Sequence, residues 1–292
     1  MLMTDVEITN AAARYMGHWA LWTVVLAFGA VGLWVLLFLG VVNGHLSVWL
    51  ALPLASYLIY TTYTPLHEAV HNNISGRNTR LRWLNELTGY IVANMLGISF
   101  TMHKAAHLAH HRHTNIAGKD PDLVYSGNEP YDALTGGVKL VVNEYRDYFQ
   151  RVFPHASKQE RAIVIAELLV AVGWRLGLGL AFPMEVVVLA LIANLLGVTF
   201  LVYMFAWIVH APFDQTERFK DTVTILLPAW IHKPATWFWL WQNYHSIHHL
   251  YPRVPFYLYA KLFEEIRDGM YERGAPIISL TSRGREFVNT PA

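Results

Sequence analysis

The chain has 292 residues, of which 54% are apolar and 14% aromatic, and its positive mean hydropathy argues against an ordinary soluble domain. The formal net charge of +1 alone gives no reason to expect nucleic acid or an acidic partner, and the useful charge information lies in the positions of the charges. Because cysteine is absent, disulfides, thiolate metal sites and cysteine nucleophiles are excluded, and any metal must be held by nitrogen and oxygen ligands.

Two long apolar stretches near the N-terminus predict a membrane hairpin. Residues 19–40 carry no charge and would form about 33 Å of helix, enough to cross a hydrocarbon core of ~30 Å. Residues 46–66 follow after a short link and would return the chain to its starting side. Charged residues precede the first stretch and no small-residue cleavage site follows it, so we expect a retained anchor and not a signal peptide.

The next segment, residues 67–161, is more polar and contains one weaker apolar run at residues 87–101. This run is too short to cross a bilayer, and we expect it to be re-entrant or buried against other helices. Apolar residues follow a helical period from Leu134 to Phe149, and again from Tyr259 to Met270 near the C-terminus. Helices lying on the membrane surface and ordinary packed helices both fit these two patterns.

A second hairpin is predicted at residues 162–182 and 186–209. Its first member carries Glu167 and Arg175, and each such charge costs about 2.5–3.5 kcal/mol at mid-membrane. Of the 22 lysines and arginines, all but Arg175 fall in segments on one side of the two hairpins. The positive-inside rule makes that side cytoplasmic, and we expect a bacterial inner-membrane location.

The predicted fold is therefore an all-α integral membrane protein, a single domain over residues 1–292. Two transmembrane hairpins, with four spans, would carry a cytoplasmic helical cap formed by residues 67–161 and 210–292. The histidine clusters described next all fall in, or at the edge of, this cap.

Eight of the 15 histidines form three clusters: HEAVH at residues 67–71, HLAHH at 107–111 and HSIHH at 245–249. Spacings of three and four residues place side chains on one face of a helix. Eight nitrogens are too many for one zinc ion and suit two metal ions. A ninth histidine follows the fourth span at the depth of the first cluster. The candidate metal ligands are His67, His71, His107, His110, His111, His210, His245, His248 and His249.

Other polar residues near the clusters are candidates for orienting these ligands. Asp120 and Asp122, in KDPD, could accept the second N–H of an imidazole, or serve only as turn residues beside a proline. Asn243 and Glu68 are similar candidates. His103 and His113 flank the second cluster at spacings that could also face the metals.

Imidazole binds iron, copper, nickel and zinc alike, so spacing alone does not name the metal. HEAVH also matches HExxH, the pattern in which two histidines bind one zinc and Glu68 acts as the base of a protease. That alternative leaves the two HxxHH clusters without a role. A histidine-lined metal transporter would place its ligands near mid-membrane, and a set of unrelated surface histidines would not repeat HxxHH.

The clusters and their flanks, HLAHHRHTN with KDPD and QNYHSIHHLYPRVPFY, resemble the membrane fatty-acid desaturase superfamily over roughly residues 61–266. That superfamily has three histidine boxes on the cytoplasmic side of two transmembrane hairpins. The resemblance implies two iron ions, O2 as co-substrate, a lipid substrate taken from the bilayer, and electrons from a ferredoxin or a cytochrome. The sequence has no GxGxxG motif and no cysteine for an iron–sulfur cluster, so we expect a separate electron carrier.

Within the superfamily, the chain is most similar to the bacterial β-carotene hydroxylases and ketolases. Its first box has three residues between the histidines, as in that branch, whereas many acyl desaturases have four. Some desaturases have an asparagine four residues before the histidine that corresponds to His210, and this chain has Ala206 at that position. The resemblance favours hydroxylation of a carotenoid ring, a monooxygenase reaction of carotenoid biosynthesis; desaturation of a fatty-acyl chain is the alternative.

Overall fold

The computed structural model describes residues 3–125, 130–281 and 284–287 of the chain. Helices make up most of these residues. The principal helices are α1 (Asp5–Ala13), α2 (Leu21–Val42), α3 (Val48–Val70), α4 (Arg82–Leu96), α5 (Phe100–His113), α6 (Gly136–Asp147), α7 (Lys158–Ala181), α8 (Pro183–His210), α9 (Ala229–Phe238), α10 (His245–Leu250) and α11 (Tyr259–Glu272). Short 3-10 turns occupy Thr79–Leu81, Pro121–Tyr125, Pro130–Thr135, Phe153–His155, Gln242–Tyr244 and Phe256–Leu258, and wider π turns occupy Tyr148–Val152 and, within α8, Val187–Ile192 and Val202–Trp207.

Among the described residues, three helices are long and apolar enough to cross a membrane: α2, α7 and α8. They coincide with the predicted spans at 19–40, 162–182 and 186–209. The predicted span at 46–66 falls on α3, which carries Thr61, Thr62 and Thr64 in its C-terminal half. Helix α3 packs along both α2 and α8, and a side chain at Gly197 of α8 would come within 2.6 Å of the Ser56 carbonyl. That α3 also crosses the bilayer remains a prediction.

The apolar run at residues 87–101 folds into the end of α4, a left-handed turn at Gly97 (φ 74°) and the start of α5. Val92, Ala93 and Leu96 are buried, and α4 packs against α3 and α7. Of the two alternatives predicted for residues 87–101, the structure therefore shows burial against other helices. Glycine at residue 97 is required by the positive φ, which strains other residues.

The two charged residues within the predicted span 162–182, Glu167 and Arg175 of α7, both contact this α4–α5 corner. Arg175 donates hydrogen bonds to the carbonyls of Asn94 (3.0 Å) and Met95 (3.2 Å) at the end of α4. Glu167 accepts from the Ser99 hydroxyl (2.5 Å) and the Thr101 N–H (3.3 Å) at the start of α5. The cation faces the negative end of one helix dipole and the carboxylate the positive end of the other.

The two amphipathic segments have different fates. The apolar positions of α11 are fully buried, and α11 packs against α1, so this segment is an ordinary packed helix. Helix α6 instead leaves Val138 and Val142 more than half exposed, beside the exposed apolar faces of α7 and α8.

A small sheet lies outside the all-α prediction. Strand β1 (Thr224–Leu226) runs parallel to β2 (Ile277–Thr281), which pairs antiparallel with β3 (Gly284–Phe287). These strands are three to five residues long, too short to leave a clear alternating pattern. The β1–β2 pairing joins segments about fifty residues apart in the sequence, which only the tertiary fold brings together.

Candidate metal centre

The first group of imidazoles comes from three helix ends. His67 and His71 lie at the C-terminal end of α3, His107 and His111 on α5, and His248 on α10. One ring nitrogen from each lies within 4.8 Å of the others. The Nε2 atom of His107 is 3.0 Å from Nε2 of His71 and of His111, and the latter is 2.8 Å from Nε2 of His248. Five imidazoles therefore converge on one small volume.

The second group contains His110 of α5, His210 at the end of α8 and His249 of α10. The Nε2 atom of His210 is 3.2 Å from Nε2 of both other residues. The His245 ring adjoins this group, with its centroid 4.9 Å from that of His210 and 4.8 Å from that of His249. The rings of His111 and His249 stack at 4.4 Å, so the two groups are neighbours.

The paired histidines of the two HxxHH clusters explain how two groups arise. Consecutive residues on an α-helix point about 100° apart. His110 and His111 consequently enter different groups, and so do His248 and His249. A repeated HxxHH thus contributes imidazoles to both groups.

In the second group, the Nδ1 atom of each imidazole points away from the other rings and lies near an oxygen atom of a neighbouring residue. His210 Nδ1 donates to the Ala206 carbonyl at 2.7 Å. His110 Nδ1 donates to Asp120 Oδ1 at 2.9 Å, and Asp120 also accepts from the backbone N–H of Asn115. His249 Nδ1 lies 3.4 Å from Asp221 Oδ2. Carbonyl and carboxylate oxygens only accept, so the proton of each neutral ring sits on Nδ1.

This assignment leaves the Nε2 lone pairs of His110, His210 and His249 facing one another at 3.2 Å. A proton between His110 and His210 would satisfy one of the two contacts and leave the other repulsive. A metal ion accepts all three lone pairs at once. The second group therefore fits a cation held by imidazole nitrogen.

The first group fits a metal for a related reason. His67 is fully buried, and neither of its ring nitrogens has a hydrogen-bond partner among the described residues. Such an orphaned polar group is costly unless a ligand satisfies it. The His67 ring lies 3.9 Å from that of His248 and 4.6 Å from that of His107, at the centre of the group.

Burial keeps these imidazoles in the form that binds metals. Burial, followed by the neighbouring imidazoles, holds the pKa of His107, His111 and His248 well below the ordinary histidine value. The pKa of His71 falls to about 3 for the same reasons. Neutral rings have a free lone pair, so the ligands are ready for a metal at neutral pH.

The residues proposed to orient the ligands divide into two sets. Asp120 bonds His110, and Asp122 lies 3.6 Å from the same nitrogen. Asn243 instead donates to the Ile225 carbonyl at 3.1 Å, which attaches the third histidine cluster to β1. Glu68 is buried and accepts hydrogen bonds from Asn73 Nδ2 at 3.0 Å and from the Thr23 hydroxyl at 3.5 Å. These two hydrogen bonds tie α3 to the turn that follows it and to α2.

Three partners of the ligands are not predicted from the sequence. Asp221 faces His249, the Tyr259 hydroxyl lies 3.1 Å from His248 Nδ1, and Gln242 Oε1 lies 3.3 Å from His245 Nδ1. Gln242 alone carries a local signal, since it stands three residues before its histidine. The other two lie on segments that only the tertiary fold brings beside these histidines.

Of the two flanking histidines, His103 is buried beside the first group. Its Nδ1 atom lies 2.9 Å from Glu144 Oε2, and both side chains are less than 5% exposed. The His103 ring stacks on His107 at 5.7 Å, while its Nε2 atom is buried without a partner among the described residues. His113 lies at the end of α5 and belongs to neither group.

Two apolar clefts open on the faces of the spans. One, of about 930 Å³, lies between α6, α7 and α8, and the other, of about 700 Å³, between α2, α4 and α7. Neither is lined by a candidate ligand. Trp237, Trp239 and Trp241, which the sequence places near the third cluster, line neither cleft.

Comparison with known protein families identifies a family model that covers most of the chain. A family model described as fatty acid desaturase matches residues 43–281. The matched region contains all nine candidate ligands and both imidazole groups.

Proposed function

The chain belongs to the fatty acid desaturase family, a family of oxidoreductases, and we propose that it is a membrane enzyme in which two iron ions use O2 to hydroxylate a lipid C–H bond. The observation that carries the proposal is the division of the histidines into two convergent groups, one of which sets bare Nε2 lone pairs 3.2 Å apart. The family typically depends on iron, and imidazole ligands suit iron.

In this proposal His67, His71, His107, His111 and His248 hold one ion, and His110, His210, His245 and His249 hold the other. When bound, the iron pair supplies the oxidising power that activates O2 against an unreactive C–H bond. The chain's own contribution is positional. Asp120, the Ala206 carbonyl and Asp221 hold three rings in the tautomer that presents Nε2, and burial keeps water from the ligands.

For the substrate we propose a carotenoid ring, because the flanks of the second and third clusters resemble those of β-carotene hydroxylases. The KDPD segment of that resemblance has a physical role here, since Asp120 bonds His110. Fatty-acyl desaturation is the second candidate, and the family match favours it by name. Both reactions begin by removing hydrogen from carbon and differ in what the substrate radical does next.

The zinc-protease alternative needs Glu68 to act as a base on a metal-bound water. In the structure Glu68 is fully buried and accepts hydrogen bonds from Asn73 and Thr23. The proposal therefore assigns Glu68 to holding α3 in place.

We further propose that the metal centre faces the cytoplasm of a bacterial inner membrane, where the positive-inside rule places the cap. Electrons would come from a ferredoxin or a cytochrome that docks on this side. The substrate would arrive from the bilayer.

Two measurements test the proposal. Metal analysis of the purified protein should give about two iron atoms per chain, as two imidazole groups require; one tightly held zinc would contradict it. Expression in cells that accumulate β-carotene, and in parallel in cells rich in saturated acyl lipids, followed by mass analysis of extracted lipids, separates the substrates. A ring product with added oxygen supports the carotenoid assignment, and a new acyl double bond replaces it with the second candidate.

A further inference from the structure

The segment between the sheet and the third histidine cluster carries a concentration of exposed aromatic side chains. Trp230 is 81% exposed, Trp237 67% and Phe238 50%. All three belong to α9, which the sequence places in the cytoplasmic cap. Large aromatic side chains that face outward together mark a contact surface.

The depth of α9 relative to the histidines follows from its contacts with α3. The rings of Phe238 and Tyr57 stack at 4.8 Å, and the Tyr57 hydroxyl donates to the Phe238 carbonyl at 2.9 Å. Tyr57 precedes His67 by ten residues, about 15 Å of helix. Tyr57 also lines a small apolar groove with Leu33 and Leu36 of α2, near the middle of that candidate span.

Helix α8 gives the same depth independently. Phe200 lies 6.2 Å from Phe238 and 4.9 Å from Tyr60, between ring centroids. Phe200 precedes His210 by ten residues, again about 15 Å. The C-terminal end of α9 therefore lies near the centre of the bilayer, while β1, just before α9, is tied to the third histidine cluster through Asn243.

The backbone at this depth is satisfied without water. The carbonyls of six consecutive residues, Ala235 to Leu240, all accept hydrogen bonds from protein donors. The donors are, in order, the N–H groups of Trp239, Trp241 and Leu240, the hydroxyls of Tyr57 and Tyr60, and the side-chain amide of Gln242. A helix end in water can leave such carbonyls to the solvent, whereas one inside hydrocarbon cannot.

We propose that α9 and the turn that follows it, residues 229–241, form a re-entrant element that enters the bilayer beside α3 and α8, with Trp230, Trp237 and Phe238 in contact with lipid acyl chains. The chain turns back at Leu240 and Trp241, which both have positive φ, and rises to the third histidine cluster. Lys233 lies five residues before Phe238, about 7 Å nearer the cytoplasm, so its ammonium can reach the headgroups.

The chain's lack of cysteine allows a direct test with single introduced cysteines. Trp230→Cys, Trp237→Cys and Phe238→Cys are each labelled with a nitroxide, and the protein is reconstituted into phosphatidylcholine–phosphatidylglycerol vesicles. Collision with oxygen, which partitions into lipid, is compared with collision with a water-soluble nickel chelate. Controls are Leu54→Cys, on the exposed face of α3, and Asp268→Cys, on the exposed face of α11.

Labels at residues 237 and 238 should match the label at residue 54, with high oxygen and low nickel accessibility. Values equal to those at residue 268, or values that place both labels at headgroup level, would overturn the proposal. Because the inference rests on α3 crossing the bilayer, the residue 54 label tests that premise separately. Three label positions are used, all at least half exposed, so the test remains possible if one variant fails to fold. The measurement requires neither bound iron nor knowledge of the substrate.

Discussion

The imidazoles of the second group are held from outside by oxygen atoms, and this determines where their lone pairs point. One of these oxygen atoms belongs to Asp221, whose contact with His249 is not predicted from the sequence. Its carboxylate lies 3.4 Å from His249 Nδ1 and is 18% exposed. Burial raises the pKa of Asp221 to about 6, and hydrogen bonds from backbone N–H groups oppose this rise, so the carboxylate is mainly ionised at pH 7.

Asp221→Asn should weaken metal binding without unfolding the protein. The amide removes the negative charge that strengthens His249 as a ligand, and loss of such a partner typically lowers metal affinity by ~10–100-fold. The measurement is the rate at which a chelator extracts iron from the purified enzyme. Asp214→Asn, at an exposed position in the same loop, is the matched control; equal extraction rates for both variants would remove Asp221 from the site.

A second prediction separates a ligand from a buried structural carboxylate. His248→Ala removes a nitrogen from the first group and should abolish lipid oxidation, with loss of bound iron. Glu68→Gln keeps an oxygen that can accept from Asn73 and should retain partial oxidation. The two variants are compared by product yield and iron content, and the roles are reversed if Glu68→Gln alone destroys activity.

The candidate ligands were predictable because helical spacing is local. His107, His110 and His111 fall on predictable faces wherever α5 lies, and the same holds for His245, His248 and His249. The orienting groups were not predictable in this way. Asp221 and Tyr259 lie on segments that the tertiary fold brings beside His249 and His248, and the spacing of residues in the sequence does not predict such contacts.

At the level of elements, apolar length alone identified α2, α7 and α8, because crossing hydrocarbon requires a long uncharged helix. Glu167 and Arg175, taken without partners, argued against α7 as a span, because each unpaired charge in the membrane costs free energy. The structure gives each a partner, since Arg175 meets the C-terminus of α4 and Glu167 the N-terminus of α5. The α4–α5 corner itself is visible in sequence only as a short apolar run.

Arg175→Met should therefore destabilise the protein although it makes α7 more apolar. Three hydrogen bonds to carbonyls of Ala171, Asn94 and Met95 are lost, and a charged hydrogen bond contributes about 1.5–3 kcal/mol. A loss of unfolding free energy equal to one such hydrogen bond should lower the thermal midpoint in detergent by roughly 4–8 °C. Arg151→Met, at a 67% exposed side chain, should change it by less than ~2 °C. An unchanged or higher midpoint for Arg175→Met would mean that the corner does not need the charge.

At the scale of the whole molecule, we expect a redox partner to dock on the side that carries the histidines. Reduction of O2 during hydroxylation consumes two electrons beyond those taken from the substrate. The sequence contains no glycine-rich nucleotide fingerprint and no cysteine for an iron–sulfur cluster. We therefore expect electrons from a separate acidic carrier. Arg112 directly follows the second cluster and Arg253 closely follows the third, and both side chains are exposed.

Arg112→Glu and Arg253→Glu should each raise the KM for a ferredoxin severalfold while leaving kcat nearly unchanged, because exposed charges act mainly on association. The rate with wild-type enzyme should fall as salt rises, since screening shortens the reach of the charges. Arg267→Glu, on the exposed face of α11 beside Glu264 and Asp268, is the control. An equal rise in KM for all three substitutions would mean that the net charge of the enzyme, and not a docking surface around Arg112 and Arg253, controls association with the ferredoxin.

Reconstitution tests the need for a carrier directly. Purified enzyme with lipid substrate, O2 and NADPH should give no product until a ferredoxin and its reductase are added. The alternative explanation of the basic residues is purely topological, because the positive-inside rule alone would put them on this side. That explanation predicts dependence on the carrier without salt sensitivity. Turnover with NADPH alone, in a preparation shown to be free of reductase, would instead require an electron entry site within the chain.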